Sequence, residues 1–144
     1  MDPRAKVASA AGWFLAIAGF TVVNWALGAA DVEMRFPIGV VTPEILALLF
    51  PTAKLAVGGV AAVLCGGFFY LMSLGTKRFM TWVMCIGAFW YALDTLIYLV
   101  GPDWMGLALH GWAFYTIAVG IVGSFQFKRS QSTTAAAEPS SEST

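Results

Sequence analysis

Asp94 and His110 are the two residues whose chemistry is most out of place in their surroundings. Both are ionisable and both lie inside long apolar segments, Asp94 eight residues before Pro102 and His110 eight residues after it. If these segments form an antiparallel helical hairpin, the carboxyl and the imidazole reach the same depth. Ionisable groups within a membrane are costly, need partners and often mark a functional site. The pair therefore predicts either a proton-loading site or, as the favoured hypothesis, a clamp in which Asp94 hydrogen-bonds His110 and Asn24 and joins the first, third and fourth apolar segments.

The polar side chains of the apolar segments converge on one layer near the outer ends of those segments. The members of this predicted cluster are Asn24, Lys54, Tyr91, Asp94, Tyr98 and His110. Counted inward, Asn24, Asp94 and His110 lie within about five to seven residues of the outer ends, or roughly 8–10 Å at helical rise. The long stem of Lys54 allows its ammonium group to reach the same layer. Tyr91 and Tyr98 flank Asp94 at helical spacings of three and four.

The elements that must position this cluster are four apolar blocks. The chain is 59% hydrophobic and 11% charged, whereas a soluble domain carries about 25% charged residues. Each block is long enough to cross a hydrocarbon core of about 30 Å, and the blocks lie at about 7–27, 52–74, 79–100 and 104–127. The sequence thus predicts an all-α fold, an integral membrane four-helix bundle with antiparallel neighbours over residues 1–129.

The segment between the first two spans and the segment after the fourth span are predicted to have different structures. Residues 30–51 are predicted to form an outer loop followed by a short helix, because Thr42-Pro43-Glu44 is a good helix start and Pro51 interrupts the helix. Whether that helix lies flat or stands up is open. Residues 130–144 are rich in Ser, Thr, Ala and Glu without an aromatic residue, which predicts a disordered cytoplasmic tail.

Basic residues divide six to two between the two sides of the predicted bundle. The six are Arg4, Lys6, Lys77, Arg78, Lys128 and Arg129, and the two are Arg35 and Lys54. The positive-inside rule therefore predicts that both termini are cytoplasmic. The first span has an alternative reading as a signal peptide, because Gly28-Ala29-Ala30 resembles a cleavage site; its length and Asn24 favour a retained span.

Small residues at helical spacing mark two predicted packing faces. They are Gly58, Ala62 and Gly66 in the second span, and Thr116, Gly120 and Ser124 in the fourth. Such stripes let two helix backbones approach closely, either within one chain or between the two copies of a homodimer. Contacts within the bundle are the favoured reading.

The hairpin of the third and fourth spans resembles a group of small bacterial four-span membrane proteins of unknown function. The resemblance rests on Tyr91-Ala92-Leu93-Asp94, on Asp103-Trp104 and on the segment from His110 to Phe114. It covers roughly the last third of the membrane part. It implies a bacterial membrane hairpin, and it implies no activity.

Several kinds of chemistry are not expected. A bis-histidine haem needs two imidazoles and His110 is the single histidine, the thiols are too far from Asp94 for a shared metal, and no GxSxG motif is present. We therefore expect no enzyme, no cofactor and no nucleic-acid partner. The leading hypothesis is a structural or accessory membrane protein with the lipid bilayer, other membrane subunits or a second copy as partners. The alternatives are a proton-linked transporter or sensor using Asp94 and His110, and a lipid- or hydrophobe-binding bundle with an aromatic crevice around Trp90, Trp112 and Tyr115.

Overall fold

The computed structural model describes residues 1–97 and 104–137, and these residues form α-helices joined by turns and one longer loop. The helices are α1 (Pro3–Ala29), α2 (Thr42–Leu49), α3 (Lys54–Lys77), α4 (Thr81–Ile97) and α5 (Trp104–Ala137), with a 3-10 turn at Pro51–Ala53. Three helical segments, α1, α3 with its preceding 3-10 turn, and α5, are long and apolar enough to cross a membrane. The helix α4 is apolar but shorter, with 17 described residues. The end of the predicted third span lies outside the described residues.

The four long helices surround a column of aromatic rings. The helix α1 packs along α3 and α5, and α4 packs on the same two helices from the other side. Phe14 of α1 stacks on Phe69 of α3, with ring centroids 6.1 Å apart, and Phe69 contacts Tyr91 of α4 edge-on at 6.1 Å. Tyr91 then stacks on His110 of α5 at 5.0 Å. All four rings are fully buried, so one residue from each helix builds the centre of the core.

Small residues allow the backbones of α1 and its two neighbours to approach closely. On α3, a β-carbon at Gly58 would lie 3.1 Å from the Trp25 indole nitrogen, and one at Gly66 would lie 2.9 Å from Val22. On α5, a β-carbon at Gly120 would overlap that of Ala10. These members of the predicted stripes thus face α1 of the same chain.

The turn between α3 and α4 closes the end of the bundle at which α1 begins. It is a helix C-cap in which Phe79 adopts a left-handed conformation with φ 57°, and the Met80 N–H donates to the Gly75 carbonyl. A left-handed conformation costs a non-glycine residue about 1–2 kcal/mol. Stacking of Phe79 on Phe127 at 4.2 Å and a hydrogen bond from the Ser124 hydroxyl to the Phe79 carbonyl hold it in place.

The chain reverses direction between α2 and α3. The helix α2 ends at Leu49, and α3 begins after the 3-10 turn that Pro51 starts. Ala47 of α2 lies against Gly58 of α3, so α2 folds back along the first turns of α3. The interruption predicted at Pro51 is therefore a reversal and not a kink in one long helix.

The helix α5 continues beyond the predicted fourth span to Ala137. Residues 130–137, which were predicted to belong to a disordered tail, are helical in the structure. The hydroxyls of Ser132, Thr133 and Thr134 donate to carbonyls four residues earlier, and the alanines that follow have the highest helix propensity. The rest of that tail, 138–144, lies outside the described residues.

A first prediction concerns the contact between α5 and α1. We expect Gly120→Ala to lower stability by about 1–3 kcal/mol, because the new methyl group would overlap Ala10. The control is Gly111→Ala in the same helix, where no atom lies within 4 Å of the new β-carbon; it should be neutral or stabilising by up to about 1 kcal/mol. Thermal unfolding in detergent measures both, and equal midpoints for the two variants would contradict the close packing.

Candidate functional site

Polar side chains of α1 hold the outer loop, residues 30–41, against that helix. The Asn24 amide makes two hydrogen bonds to Phe36: its Nδ2 donates to the backbone carbonyl at 2.7 Å, and its Oδ1 accepts the N–H at 2.8 Å. Further in, the Thr21 hydroxyl accepts the Val40 N–H at 2.9 Å and donates to the Ile17 carbonyl at 2.7 Å. Thr21 lies eight residues before the end of α1, so the loop descends about 12 Å along the helix.

Gly39 allows the loop to lie this close to α1. A β-carbon at Gly39 would lie 2.8 Å from the Asn24 amide nitrogen and 3.0 Å from the backbone of Phe20. Such distances require either atom to shift, and the Phe20 backbone is fixed within a helix. The loop therefore needs glycine at this position because a side chain would lift it away from Asn24 and Thr21.

Asp94 of α4 caps the helix that follows the loop. Both carboxylate oxygens accept the Val41 N–H at 3.2 Å, and Oδ1 also accepts the Thr42 hydroxyl at 3.1 Å and the Thr42 N–H at 3.4 Å. The N-cap of α2 is Val41, which has no side-chain oxygen to offer. A carboxylate from another helix thus satisfies the first N–H groups of α2 and faces the positive end of its dipole. Asp94 is only 4% exposed, so these bonds replace its hydration.

An ion pair and a cleft lie on the outward side of the same region. Arg35 of the outer loop pairs with Glu44 in the first turn of α2. Burial raises the pKa of the Glu44 carboxyl, the Arg35 guanidinium opposes this shift, and the nearby charge of Asp94 adds to it. The outer cleft, which opens beside this pair, has a volume of about 400 Å³ and walls from the end of α1, the outer loop, α2 and the start of α3. Trp25, Glu33 and Lys54 also line it.

The predicted cluster divides between these features. Asn24 and Asp94 hold the outer loop and α2, and neither of them hydrogen-bonds the other or His110 within the described residues. His110 and Tyr91 belong to the aromatic column, where His110 Nδ1 lies 2.9 Å from the Gly106 carbonyl of its own helix. Lys54 is exposed in the outer cleft. Tyr98 lies outside the described residues.

Thr21, Gly39 and Thr42 belong to this site, and sequence reasoning did not select them. Threonine and glycine are common inside membrane helices and loops, so their types alone carry little signal. The sequence signal that could have identified this part of the site is Pro37-Ile38-Gly39. A proline and a glycine in a loop between two apolar segments permit an irregular backbone that packs closely. Its proximity to Asp94 appears only once the chain is folded.

The polar side chains of this site bind backbone groups of the same chain. Two side chains of α1 and one of α4 supply acceptors to the N–H groups of residues 36, 40, 41 and 42. Among residues 1–97 and 104–137, no three His, Cys, Asp or Glu side chains converge in a way that would hold a metal ion. Two carboxyl groups that could carry a proton, those of Asp94 and Glu44, lie beside the start of α2.

Comparisons with known proteins give no match: no protein-family model, no curated protein and no solved structure is similar to this chain.

A second prediction concerns the two hydrogen bonds of Asn24. Replacing Asn24→Leu leaves the Phe36 N–H and carbonyl without their partner, at a cost of about 1–3 kcal/mol for each buried group. We expect faster hydrogen exchange at the amides of Phe36 and of residues 38–42 and a lower unfolding midpoint, both measurable in detergent micelles. Thr116→Val is the control, because the Thr116 hydroxyl bonds only the Trp112 carbonyl of its own helix. Unchanged exchange in Asn24→Leu would contradict the role of Asn24 in holding the loop.

Proposed function

We propose that this chain is a small multi-pass protein of the bacterial inner membrane with a structural or accessory role and no catalytic activity. Its distinctive part is an outer-leaflet polar lock, which consists of Thr21, Asn24 and Asp94 and holds a re-entrant segment formed by the outer loop and α2. The observation that carries the proposal is the capping of α2 by Asp94, because the hydrogen bonds that this costly carboxylate makes with the described residues all go to the re-entrant segment.

The proposed topology has four spans with both termini in the cytoplasm. Three spans correspond to the long apolar helices α1, α3 and α5, and the shorter α4 is the fourth. The six-to-two division of basic residues supports this sidedness. In this orientation the outer loop enters the outer leaflet beside α1, and α2 leads the chain back to the start of α3.

Membrane physics favours the lock over the predicted clamp between helices. A non-helical backbone at membrane depth is tolerated only where its N–H and C=O groups find partners within the protein. Asn24 satisfies both groups of Phe36, Thr21 satisfies Val40, and Asp94 satisfies Val41 and Thr42. Burying these polar side chains costs free energy. This cost is offset because their hydrogen bonds satisfy backbone groups of the loop that would otherwise be buried without partners.

The competing function is a proton-linked transporter or sensor. It requires Asp94 to exchange a proton with the outer solution, and Asp94 lies beneath the loop, where its hydrogen bonds within residues 1–97 and 104–137 are directed at Val41 and Thr42. A carrier would have to open the loop in each cycle and break these bonds. The aromatic crevice of the other alternative has little support, since Trp90, Trp112 and Tyr115 are 48–60% exposed on the outer surfaces of α4 and α5.

A third prediction tests the lock by cysteine labelling. In a background with Cys65→Ser and Cys85→Ser, Val40→Cys should react slowly with a membrane-impermeant maleimide in intact cells, because Val40 is 2% exposed. Adding Asp94→Ala should increase the labelling rate at least about tenfold, since the loss of charged hydrogen bonds worth about 1.5–3 kcal/mol releases the segment. The milder Thr42→Val removes one donor and should give a smaller increase.

Met34→Cys is the matched control for access and sidedness. Met34 lies in the same loop and is 61% exposed. A cysteine at this position should therefore react fast with the maleimide, both with Asp94 present and in the Asp94→Ala variant. Slow labelling of Met34→Cys from outside would contradict the proposed orientation. Equal rates for Val40→Cys with and without Asp94→Ala, in protein that still unfolds cooperatively, would contradict the lock.

A fourth prediction separates the lock from the carrier. Purified wild-type protein in liposomes, under an imposed pH gradient and potential, should conduct protons no faster than empty liposomes. Asp94→Asn should leave this background unchanged, because the proposed role of Asp94 is to accept bonds from Val41 and Thr42. A proton flux of the wild type that Asp94→Asn abolishes would overturn the structural proposal in favour of the transporter.

A further inference from the structure

The outer cleft combines charged walls with an apolar exit. Its volume of about 400 Å³ lies within the range of ligand pockets, about 300–1,000 Å³. The charged residues Glu33, Arg35, Glu44 and Lys54 line it together with apolar groups of Trp25, Leu48 and Leu55. It lies at the outer end of the bundle, where the proposed topology places the boundary between headgroups and acyl chains. A ligand for this place must therefore offer both charge and apolar length.

The charges of the cleft fall into one satisfied pair and two uncompensated groups. Arg35 and Glu44 pair with each other. Within the part of the chain that the structure describes, neither Lys54 nor Glu33 has an ion-pair partner, and both are exposed. The cleft thus offers one ammonium group and one carboxylate to a ligand. A purely anionic head would gain Lys54 but meet the repulsion of Glu33, whereas a head with both signs of charge complements both groups.

Trp25 connects the cleft to an apolar groove on the membrane-facing side of α3. Its indole lies on the α3 backbone, because a β-carbon at Gly59 would be 2.8 Å from its ring. Trp25 also lines a groove with Gly59, Val60, Val63 and Leu64, in which no polar surface is exposed. Val60, Val63 and Leu64 are 62–67% exposed. The groove suits an acyl chain that runs down from the cleft along α3.

We infer that the outer cleft binds the headgroup of a zwitterionic phospholipid that carries a primary ammonium, with one acyl chain in the groove below Trp25. The phosphate pairs with Lys54 and the ammonium donates to Glu33. The bound lipid fills the space between α1, the outer loop and α2. The inference rests on the proposed topology, which places the cleft at the headgroups; its test measures lipid retention and the lock is tested by cysteine labelling, so the failure of one is distinguishable from the failure of the other.

The test is lipid retention measured by native mass spectrometry of the full chain released from detergent. The probes are phosphatidylethanolamine, phosphatidylcholine and phosphatidylglycerol with identical acyl chains, added singly to delipidated protein. We expect phosphatidylethanolamine to bind best, since the choline head has no N–H donor and the glycerol head has no ammonium. Lys54→Gln and Glu33→Gln should each weaken its binding about tenfold, the factor that corresponds to one charge-assisted hydrogen bond. Lys54→Arg should retain most of the binding.

Two matched controls distinguish a site from general lipid adhesion. Lys77→Gln removes an exposed cation at the other end of α3 and should change nothing. Val60→Trp fills the groove and should weaken binding, whereas Val122→Trp on the exposed face of α5 should not. Because all five side chains involved are exposed, these variants should fold, and unchanged unfolding midpoints check this. Equal binding of phosphatidylglycerol, or equal loss in Lys77→Gln and Lys54→Gln, would overturn the inference.

Discussion

A backbone that leaves its helix inside a packed apolar bundle carries N–H and C=O groups that have no regular partners. In this protein the outer loop descends along α1 to the level of Thr21, and the start of α2 lies beside α4. Thr21, Asn24 and Asp94 hold the segment mainly through backbone atoms of residues 36–42. The position of α2, the reversal into α3 and the shape of the outer cleft all depend on these few bonds. Without them, the unsatisfied N–H and C=O groups of the loop would oppose its burial beside α1.

Close packing of apolar side chains and helix backbones holds the rest of the bundle together. The aromatic column joins one ring from each long helix, and glycines at positions 58, 66 and 120 let α3 and α5 approach α1 closely. Dispersion between such closely packed surfaces is the main attraction available to apolar helices in a lipid environment, because the lipid is as apolar as the side chains. His110 contributes to this column as a flat ring against Tyr91. The imidazole therefore has a packing role that a reading of its charge alone does not suggest.

Sequence reasoning located the long helices well, because apolar length is a strong signal and the apolar blocks are divided by Gly75–Arg78 and by the Gly101-Pro102 pair, whose residue types favour turns. It also identified Asn24 and Asp94 as costly groups that need partners. It predicted other helical residues as their partners, whereas their partners lie in the loop and at the start of α2. Counting depth along helices compares helical residues only with one another, so it could not place a loop that enters the bundle. The capping of α2 by Asp94 joins residues 52 and 53 positions apart, and no local pattern encodes such a contact. The helical continuation to Ala137 was not predicted, because the polar composition of the tail was taken to indicate disorder and the high helix propensity of its alanines was given less weight.

The sequence separations of these contacts imply an order in which the protein assembles during synthesis. Thr21 and Asn24 leave the ribosome before the loop, so Phe36 and Val40 have their acceptors as soon as they emerge. Val41 and Thr42 wait for Asp94, which is made more than 50 residues later. The last helix then returns to the first, where Lys6 meets Gln126 across 120 positions of the chain. The re-entrant segment is thus made directly after α1 but is among the last parts of the outer end to be completed, and a chain that stops before α4 leaves the start of α2 uncapped.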